Sequence, residues 1–384
     1  MFPTLASFSS LFAATTVMHL AMGLFNVYIG LKLSSEGVSE LWIGALMSAF
    51  YIGLVLGGRI GHMMIIRTGH VRAFAAAAAA SSVMVLTQTL VDDRYVWLLL
   101  RAVTGGSIAV QFIVLESWLN EQIENENRGR IFSVYLVLSG IGIAIGQMAI
   151  TLYPTLDLRP LTLVAICHVV GLIPVVWTVR LHPGPQLPAP LDFGYFFARA
   201  PAALLTMFLA GNITSAFYSL APVYMVGISF DTAEVAAFMS VAVFAGLLAQ
   251  WPIGWLSDRI SRNQLIFMNG IVLTGVSVLL WGWLVVPYWL LLTLAAISGA
   301  VQFTLYALAG SYANDMVTPE RRVGLSAVLL MSYGLGACLG PLICGYIMRL
   351  AGVNMFYVFM TGCSLLLILN TRLIGRSNVR TTAQ

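Results

Sequence analysis

Arg101 is the one charge that stands deep inside apolar text, seven residues past Arg94 in a run that continues to Trp118. A charge at the centre of a lipid-embedded helix costs at least about 2.5–3.5 kcal/mol, so its side chain must face protein or water. There its guanidinium would clamp an anion or serve as a hydrogen-bonding post to neighbouring helix carbonyls. The residues leave both open. His19 sits in the middle of the first apolar run, and Thr15, His19 and Asn26 fall on one helical face. An imidazole there could relay protons, or stay neutral and bond between helices. His168 reads as structural. Three more polar stripes follow: Thr104, Ser107 and Gln111; Asn212, Ser215 and Ser219, with Tyr218 beside them; and Ser298, Gln302 and Tyr306. Stripes of this kind must meet a partner helix or water. No Asp or Glu falls at mid-span, so a carboxylate relay has no carrier and His19 is the candidate for any proton coupling. No Walker lysine loop exists, which excludes ATP as the driver. No nucleophile–base set and no metal-ligand spacing appear, so neither an enzyme nor a cofactor is expected.

The elements that must position these residues are long and apolar. The chain has 384 residues, 59% hydrophobic and 9% charged, against about 25% charged for soluble domains. A water-soluble core cannot absorb that much apolar surface, so the bilayer is its solvent. The basic residues are scattered singly over short loops, which is no nucleic-acid signal. Cys167, Cys338, Cys344 and Cys363 all lie inside apolar runs and read as packing residues. The N-terminus lacks a basic leader, so the first apolar run is expected to be retained.

Charges and turn residues predict twelve membrane-spanning runs: 8–31, 41–60, 71–91, 95–118, 130–152, 161–180, 201–225, 234–256, 264–286, 288–312, 322–348 and 352–373. At this length only helices satisfy the backbone in lipid. Residues 181–200, with Pro183, Pro185, Pro188 and Pro190, predict an extended cytoplasmic linker between a half at 1–180 and a half at 201–384. Its tail, Phe193 to Phe197, is expected at the membrane interface. The halves repeat. Asn120 and Asn314, Arg128 and Arg322, Gly140 and Gly334, and Gly146 and Gly340 are each 194 residues apart. Arg67-Thr68-Gly69 returns as Arg259-Ile260-Ser261 at a separate offset, 259 − 67 = 192. A fixed offset across helix end, loop and next helix marks a duplicated unit.

Fourteen arginines, among them Arg67, Arg72, Arg128 and Arg262, fall in one set of alternate loops and the C-terminal tail, against four basic residues in the opposite set. That bias predicts both termini in the cytoplasm. Six helices repeated with the same orientation form a parallel repeat.

The loop Gly254-Trp255-Leu256-Ser257-Asp258-Arg259-Ile260-Ser261-Arg262 resembles the G-x-x-x-D-R-x-G-R loop of the major facilitator superfamily, with Ser261 in place of Gly. Arg67-Thr68-Gly69-His70-Val71-Arg72 is a weaker copy with Ile66 at the Asp position, and Arg101-x-x-x-Gly105 looks like the superfamily's fourth-helix motif. Glu116-Ser117, Arg128-Gly129-Arg130, Gln250-Trp251-Pro252-Ile253-Gly254 and Phe303-Thr304-Leu305-Tyr306 resemble the bacterial YcaD-like subgroup, broadly classed as transporters. Gly340-Pro341 resembles an antiporter-associated motif displaced to the eleventh run.

The resemblance implies an all-α membrane protein with twelve transmembrane helices in two six-helix pseudo-symmetric halves, the major facilitator fold. Helices one, four, seven and ten would line a central cavity holding His19, Asn26, Arg101, Thr104, Gln111, Asn212, Ser215, Tyr218, Gln302 and Tyr306. Arg67, Gly69, Arg72, Glu116, Gly254, Asp258, Arg259 and Arg262 would form gating loops, with Glu116 paired to Arg67 or Arg72 and Asp258 to its basic neighbours. The expected function is secondary or facilitative transport of a small organic solute across the bacterial inner membrane by alternating access, with protons as a second possible partner and a monomer as the assembly. The other class is a non-transporting receptor or scaffold on the same fold.

Overall fold

The computed structural model describes residues 8–122, 128–176, 192–318 and 321–381. Among them the secondary structure is helical, with no strand. The helices are α1 (Ser9–Ser35), α2 (Glu40–Thr68), α3 (His70–Thr87), α4 (Arg94–Gln122), α5 (Arg128–Ala149), α6 (Arg159–Val176), α7 (Phe193–Arg199), α8 (Pro201–Gly227), α9 (Thr232–Ser257), α10 (Arg262–Leu279), α11 (Tyr288–Gln302), α12 (Leu305–Asn314), α13 (Arg322–Ala351) and α14 (Met355–Thr381).

Eleven spans among the described residues are long and apolar enough to cross a membrane, α11 and α12 together making one of them. The ninth predicted run departs from expectation. It yields the 18-residue α10, whose polar Arg262, Asn263, Gln264 and Asn269 dilute its apolar content. The tenth run also differs, because the helix breaks at Phe303-Thr304. Most of the linker lies outside the described residues, but its tail forms the short helix α7.

Two compact units emerge. The first comprises Met1–Gly37, Ala45–Leu187 and Asp231–Ser240; the second comprises Val38–Gly44, Pro188–Phe230 and Val241–Gln384.

Within the first unit, glycines let backbones touch. Gly23 faces the Ile143 carbonyl, and Gly142 and Gly146 face the carbonyls of Thr16 and Leu20, which seals α1 to α5. Gly53 and Gly57 of α2 meet Ala102 and Gly106 of α4, while Gly105 meets the Phe50 carbonyl. The second unit repeats the plan. Gly336 and Gly340 of α13 pack on the Phe208 and Asn212 carbonyls of α8, and Gly299 of α11 packs on Ala242 of α9. The glycines that recur at the offset of 194 (Gly105 and Gly299, Gly142 and Gly336, Gly146 and Gly340) therefore do the same work in each copy.

The break between α11 and α12 contains neither Pro nor Gly. Asn269 Nδ2 donates to the Val301 carbonyl at 3.3 Å and to Thr304 Oγ1 at 3.1 Å. Thr304 Oγ1 donates back to the Val301 carbonyl at 2.9 Å, and Gln250 Nε2 donates to the Phe303 carbonyl at 3.1 Å. Side chains from α9 and α10 thus take carbonyls the ladder releases, which is how an interrupted helix survives in a membrane.

Helix α7 is fastened at the arginine-rich end of the second unit. Phe196 is buried with Leu204, Met207, Ala309 and Leu325. Asp192 accepts from the Tyr195 amide at 3.2 Å and from Arg321 Nη1 at 2.9 Å, and Arg321 lies 4.2 Å from the Tyr195 ring centroid. These two donors, the Tyr195 amide first, hold the Asp192 carboxyl below its ordinary value of 3.8. A depressed carboxylate stabilises the folded state above its unfolded value, and loses that contribution as the pH falls through its folded value. The α7 dock should therefore be insensitive to pH across the neutral range and loosen only below 3.8. Hydrogen exchange over residues 193–199, corrected for intrinsic rate, should show an acid-side rise that Asp192→Asn abolishes.

Candidate functional site

Arg101 is fully buried, about 10 Å along α4 from Arg94. Its Nη2 lies 2.9 Å from the Met47 sulfur, a weak acceptor. Its guanidinium carbon lies 4.3 Å from the Phe25 ring centroid and 4.8 Å from that of Phe50. Nε and Nη1 are buried without a hydrogen-bond partner. No carbonyl receives a proton from this side chain among the described contacts. The aromatic faces offset part of the desolvation cost. The glycine seam between α2 and α4 is what brings Phe50 and Met47 this close.

The other predicted cavity residues divide. His19 is buried, its Cβ lies against Gly142, and its Nδ1 stands 2.8 Å from the Thr15 carbonyl. A carbonyl only accepts, so Nδ1 carries the hydrogen and Nε2 is the basic nitrogen. Its ring lies 5.1 Å from Phe112. Asn26 is buried further along α1. Thr104 Oγ1 bonds back to the Leu100 carbonyl at 2.8 Å. Gln111 reaches α3, donating to Ser81 Oγ at 3.0 Å. In the second unit, Asn212 Nδ2 bonds back to the Phe208 carbonyl at 2.9 Å, and Asn212 and Ser215 lie beneath Gly340. The stripes of α1 and α8 thus sit partly in helix–helix seams. Tyr218 is half-buried beside Phe303, Tyr306 is exposed beside Tyr333, and Gln302 is buried with both amide atoms unpartnered. His168 is buried with neither ring nitrogen partnered.

The gating residues also rearrange relative to expectation. Glu116 accepts from Tyr135 at 3.3 Å and forms no ion pair with Arg67 or Arg72, both of which are exposed. The reason is position: Glu116 lies on the inner face of α4, toward α5. Gly69 is the whole connection between α2 and α3, and its φ of 78° needs a glycine. Its counterpart Ser261 has φ −57°, so the departure from the glycine pattern is unstrained. Gly254 faces open space. Arg259 lies over Trp255, 3.5 Å from the ring centroid.

Asp258 is exposed and makes no ion pair among the described residues. Arg262 bonds instead to Asp315, just past the end of α12, and to the Ser311 carbonyl at 3.4 Å. These residues, with Asn314, Arg322 and Ser326, line an open cleft of about 540 Å³. The repeated Asn-acid pair, Asn120-Glu121 and Asn314-Asp315, is the sequence signal that could have found this clasp. Both partners are partly exposed, so the pair is worth about 0.2–1 kcal/mol. A double-mutant cycle on Arg262→Ala and Asp315→Ala should return a coupling of about that size. Asp258→Ala should return none, and coupling at Asp258 would restore it as the clasp.

The chain matches the sequence profile of the Major Facilitator Superfamily over residues 11–271 and 227–383. It is 26% identical over 366 residues to the "Uncharacterized MFS-type transporter YcaD" of Escherichia coli O139:H28 (strain E24377A / ETEC), covering 94% of this chain and 93% of that protein. The protein of the same name from Shigella sonnei (strain Ss046) matches equally. Among solved structures, that of the nucleoside transporter NupG superposes with a TM-score of 0.80 at 13% identity, covering 96% of this chain and 98% of that one. A bacterial homologue of the human lysosomal transporter Spinster, inward-facing and occupied, gives 0.71 at 14%, covering 95% and 94%. The profile match spans most of the chain and the helices are of membrane-spanning length: the chain belongs to the Major Facilitator Superfamily.

Proposed function

We propose that this protein is a secondary transporter that moves a small organic anion across the bacterial inner membrane by alternating access, with both termini in the cytoplasm. Its family and the curated transporters it resembles support transport, and the arginine bias of the alternate loops supports the orientation. The observation that carries the choice of anion is Arg101: a fully buried guanidinium with Nε and Nη1 lacking any acceptor. A buried charge left unpaired costs several kcal/mol. A carboxylate or phosphate oxygen at either nitrogen would supply the acceptor that this buried charge lacks. The structural-post reading would need carbonyls on those nitrogens, and neither meets one among the described residues, which favours the anion reading. Purified protein in vesicles, offered organic anions and their neutral amides, should accumulate anions alone. Equal flux of the amides would remove the anion reading, and binding without flux would remove transport.

Proton coupling, if present, falls to His19 in this reading. Its Nδ1–H is committed to the Thr15 carbonyl, which leaves Nε2 to take and release a proton. His19→Gln should flatten the pH profile of uptake while solute exchange continues. A mutant with the wild-type profile would clear His19 of that role.

A further inference from the structure

The cleft of about 540 Å³ at the arginine-rich end of the second unit is large enough for a small molecule. Three helices wall it. Arg262 opens α10, Ser311 and Asn314 stand in the last turn of α12 with Asp315 just beyond, and Arg322 and Ser326 stand in the first turns of α13. The charges do not cancel. Asp315 is engaged by Arg262, and Arg322 is exposed with no ion pair among the described residues. The Ser311 hydroxyl and the Asn314 amide, three residues apart on α12, are likewise without a hydrogen bond among the described residues. The cleft is thus lined by one excess positive charge and two neutral groups able to donate.

The first unit is built differently here. Arg262 takes the place of His70, at 262 − 70 = 192, and Ser311 that of Ser117, at 311 − 117 = 194. His70 is buried, and its Nε2 lies 3.0 Å from Ser117 Oγ. Arg262 instead reaches the Ser311 carbonyl, at 3.4 Å, and leaves the hydroxyl open. The second copy therefore has a cation beside an open hydroxyl where the first has a closed side-chain contact.

We infer that this cleft binds a phosphate group, carried by a soluble phosphate ester or by an anionic lipid headgroup. A carboxylate offers two oxygens in one plane. A phosphate ester offers three around a tetrahedral centre, which suits donors arriving from separate helices. Arg322 supplies the charge and the planar fork, Ser311 and Asn314 the neutral donors, and Arg262, anchored by Asp315, a positive wall. A bound phosphate ties α12 to α13. Arg101 belongs to the other unit, so the inference does not depend on the transport reading.

Thermal midpoints of the purified full chain at matched ionic strength test it. Glycerol phosphate is the soluble probe, with acetate as the carboxylate control. Phosphatidylglycerol nanodiscs are the lipid probe, with phosphatidylcholine nanodiscs as control. Arg322→Gln changes an exposed side chain and should leave the ligand-free midpoint in place. Arg372→Gln removes the same charge from α14, outside the cleft, where Arg372 lies 5.3 Å from the Phe267 ring centroid. Arg322→Gln should need at least about tenfold more glycerol phosphate than the wild type for the same shift. Arg372→Gln should respond as the wild type does, and any acetate shift should be alike in all three proteins. An Arg322-dependent rise in phosphatidylglycerol nanodiscs alone would identify the occupant as a lipid headgroup. No Arg322-dependent rise with either phosphate source would overturn the site. So would an acetate shift that Arg322→Gln weakens equally, or an equal loss in Arg372→Gln. A glycerol phosphate response that Arg322→Gln keeps and Arg101→Met abolishes would remove this site and leave the anion at Arg101.

Discussion

Arg101→Met should abolish anion-driven stabilisation and uptake while leaving the ligand-free protein as stable as the wild type, or more so. The substitution removes a desolvated charge that receives no acceptor on Nε or Nη1. Methionine is flexible enough to fill the same space between Phe25, Phe50 and the Met47 thioether. No carbonyl is stranded, so the penalty of about 1–3 kcal/mol per orphaned acceptor does not arise. What is lost is a charge-assisted contact worth about 2–5 kcal/mol when a buried charge pair is truncated. Arg101→Lys is the sharper control. It keeps the charge but gives up the planar fork, so affinity for a carboxylate should fall between those of the wild type and the methionine variant. Thermal midpoints with and without an anion that the wild type transports decide the matter. A large ligand-free drop in Arg101→Met, with anion stabilisation kept in Arg101→Lys, would return Arg101 to a structural role.

The second large effect is expected at Gly105. A Cβ placed there meets the Phe50 carbonyl on the facing helix, and backbone cannot rotate out of the way as a side chain can. Gly105→Val should force α2 and α4 apart, unseating Phe50 from Arg101. Overpacking a tight core costs about 1–3 kcal/mol, and more where the neighbour is rigid, so this variant should fail to yield monodisperse protein. Gly58 of α2 is the control, because a Cβ there meets nothing within 4 Å. Gly58→Ala should be neutral or slightly stabilising through helix propensity. Size-exclusion profiles and thermal midpoints of the two variants suffice. A well-folded Gly105→Val would mean that the seam is not what holds α2 to α4.

Much of the fold was legible because its causes are local. Apolar length against bilayer thickness marks the helices, and the recurring glycines mark the seams. The break at Phe303-Thr304 was not legible, since it is made by Asn269 and Gln250 from distant helices and carries no Pro or Gly of its own. Arg101 announced itself by its cost, but Phe25, Met47 and Phe50 come from two other helices and no spacing within α4 points to them. The polar stripes could not tell residues that find a partner in a helix seam from those that do not. Gln111 and Ser215 obey the same periodicity as Gln302, yet Gln111 meets Ser81 and Ser215 lies under Gly340. The clasp was half-visible: the loop motif named Arg262, and only the fold shows that its acid is Asp315 rather than Asp258.

Gly69 joins α2 to α3 by a single residue in a conformation that other residues resist. Such a joint has no slack. Any axial slide of α2 must be passed to α3 within about one residue's reach, roughly 3.5 Å. The two helices therefore work mechanically as a bent lever rather than as two rods on a string. Lengthening the joint with a short flexible insert at Gly69 would uncouple the arms.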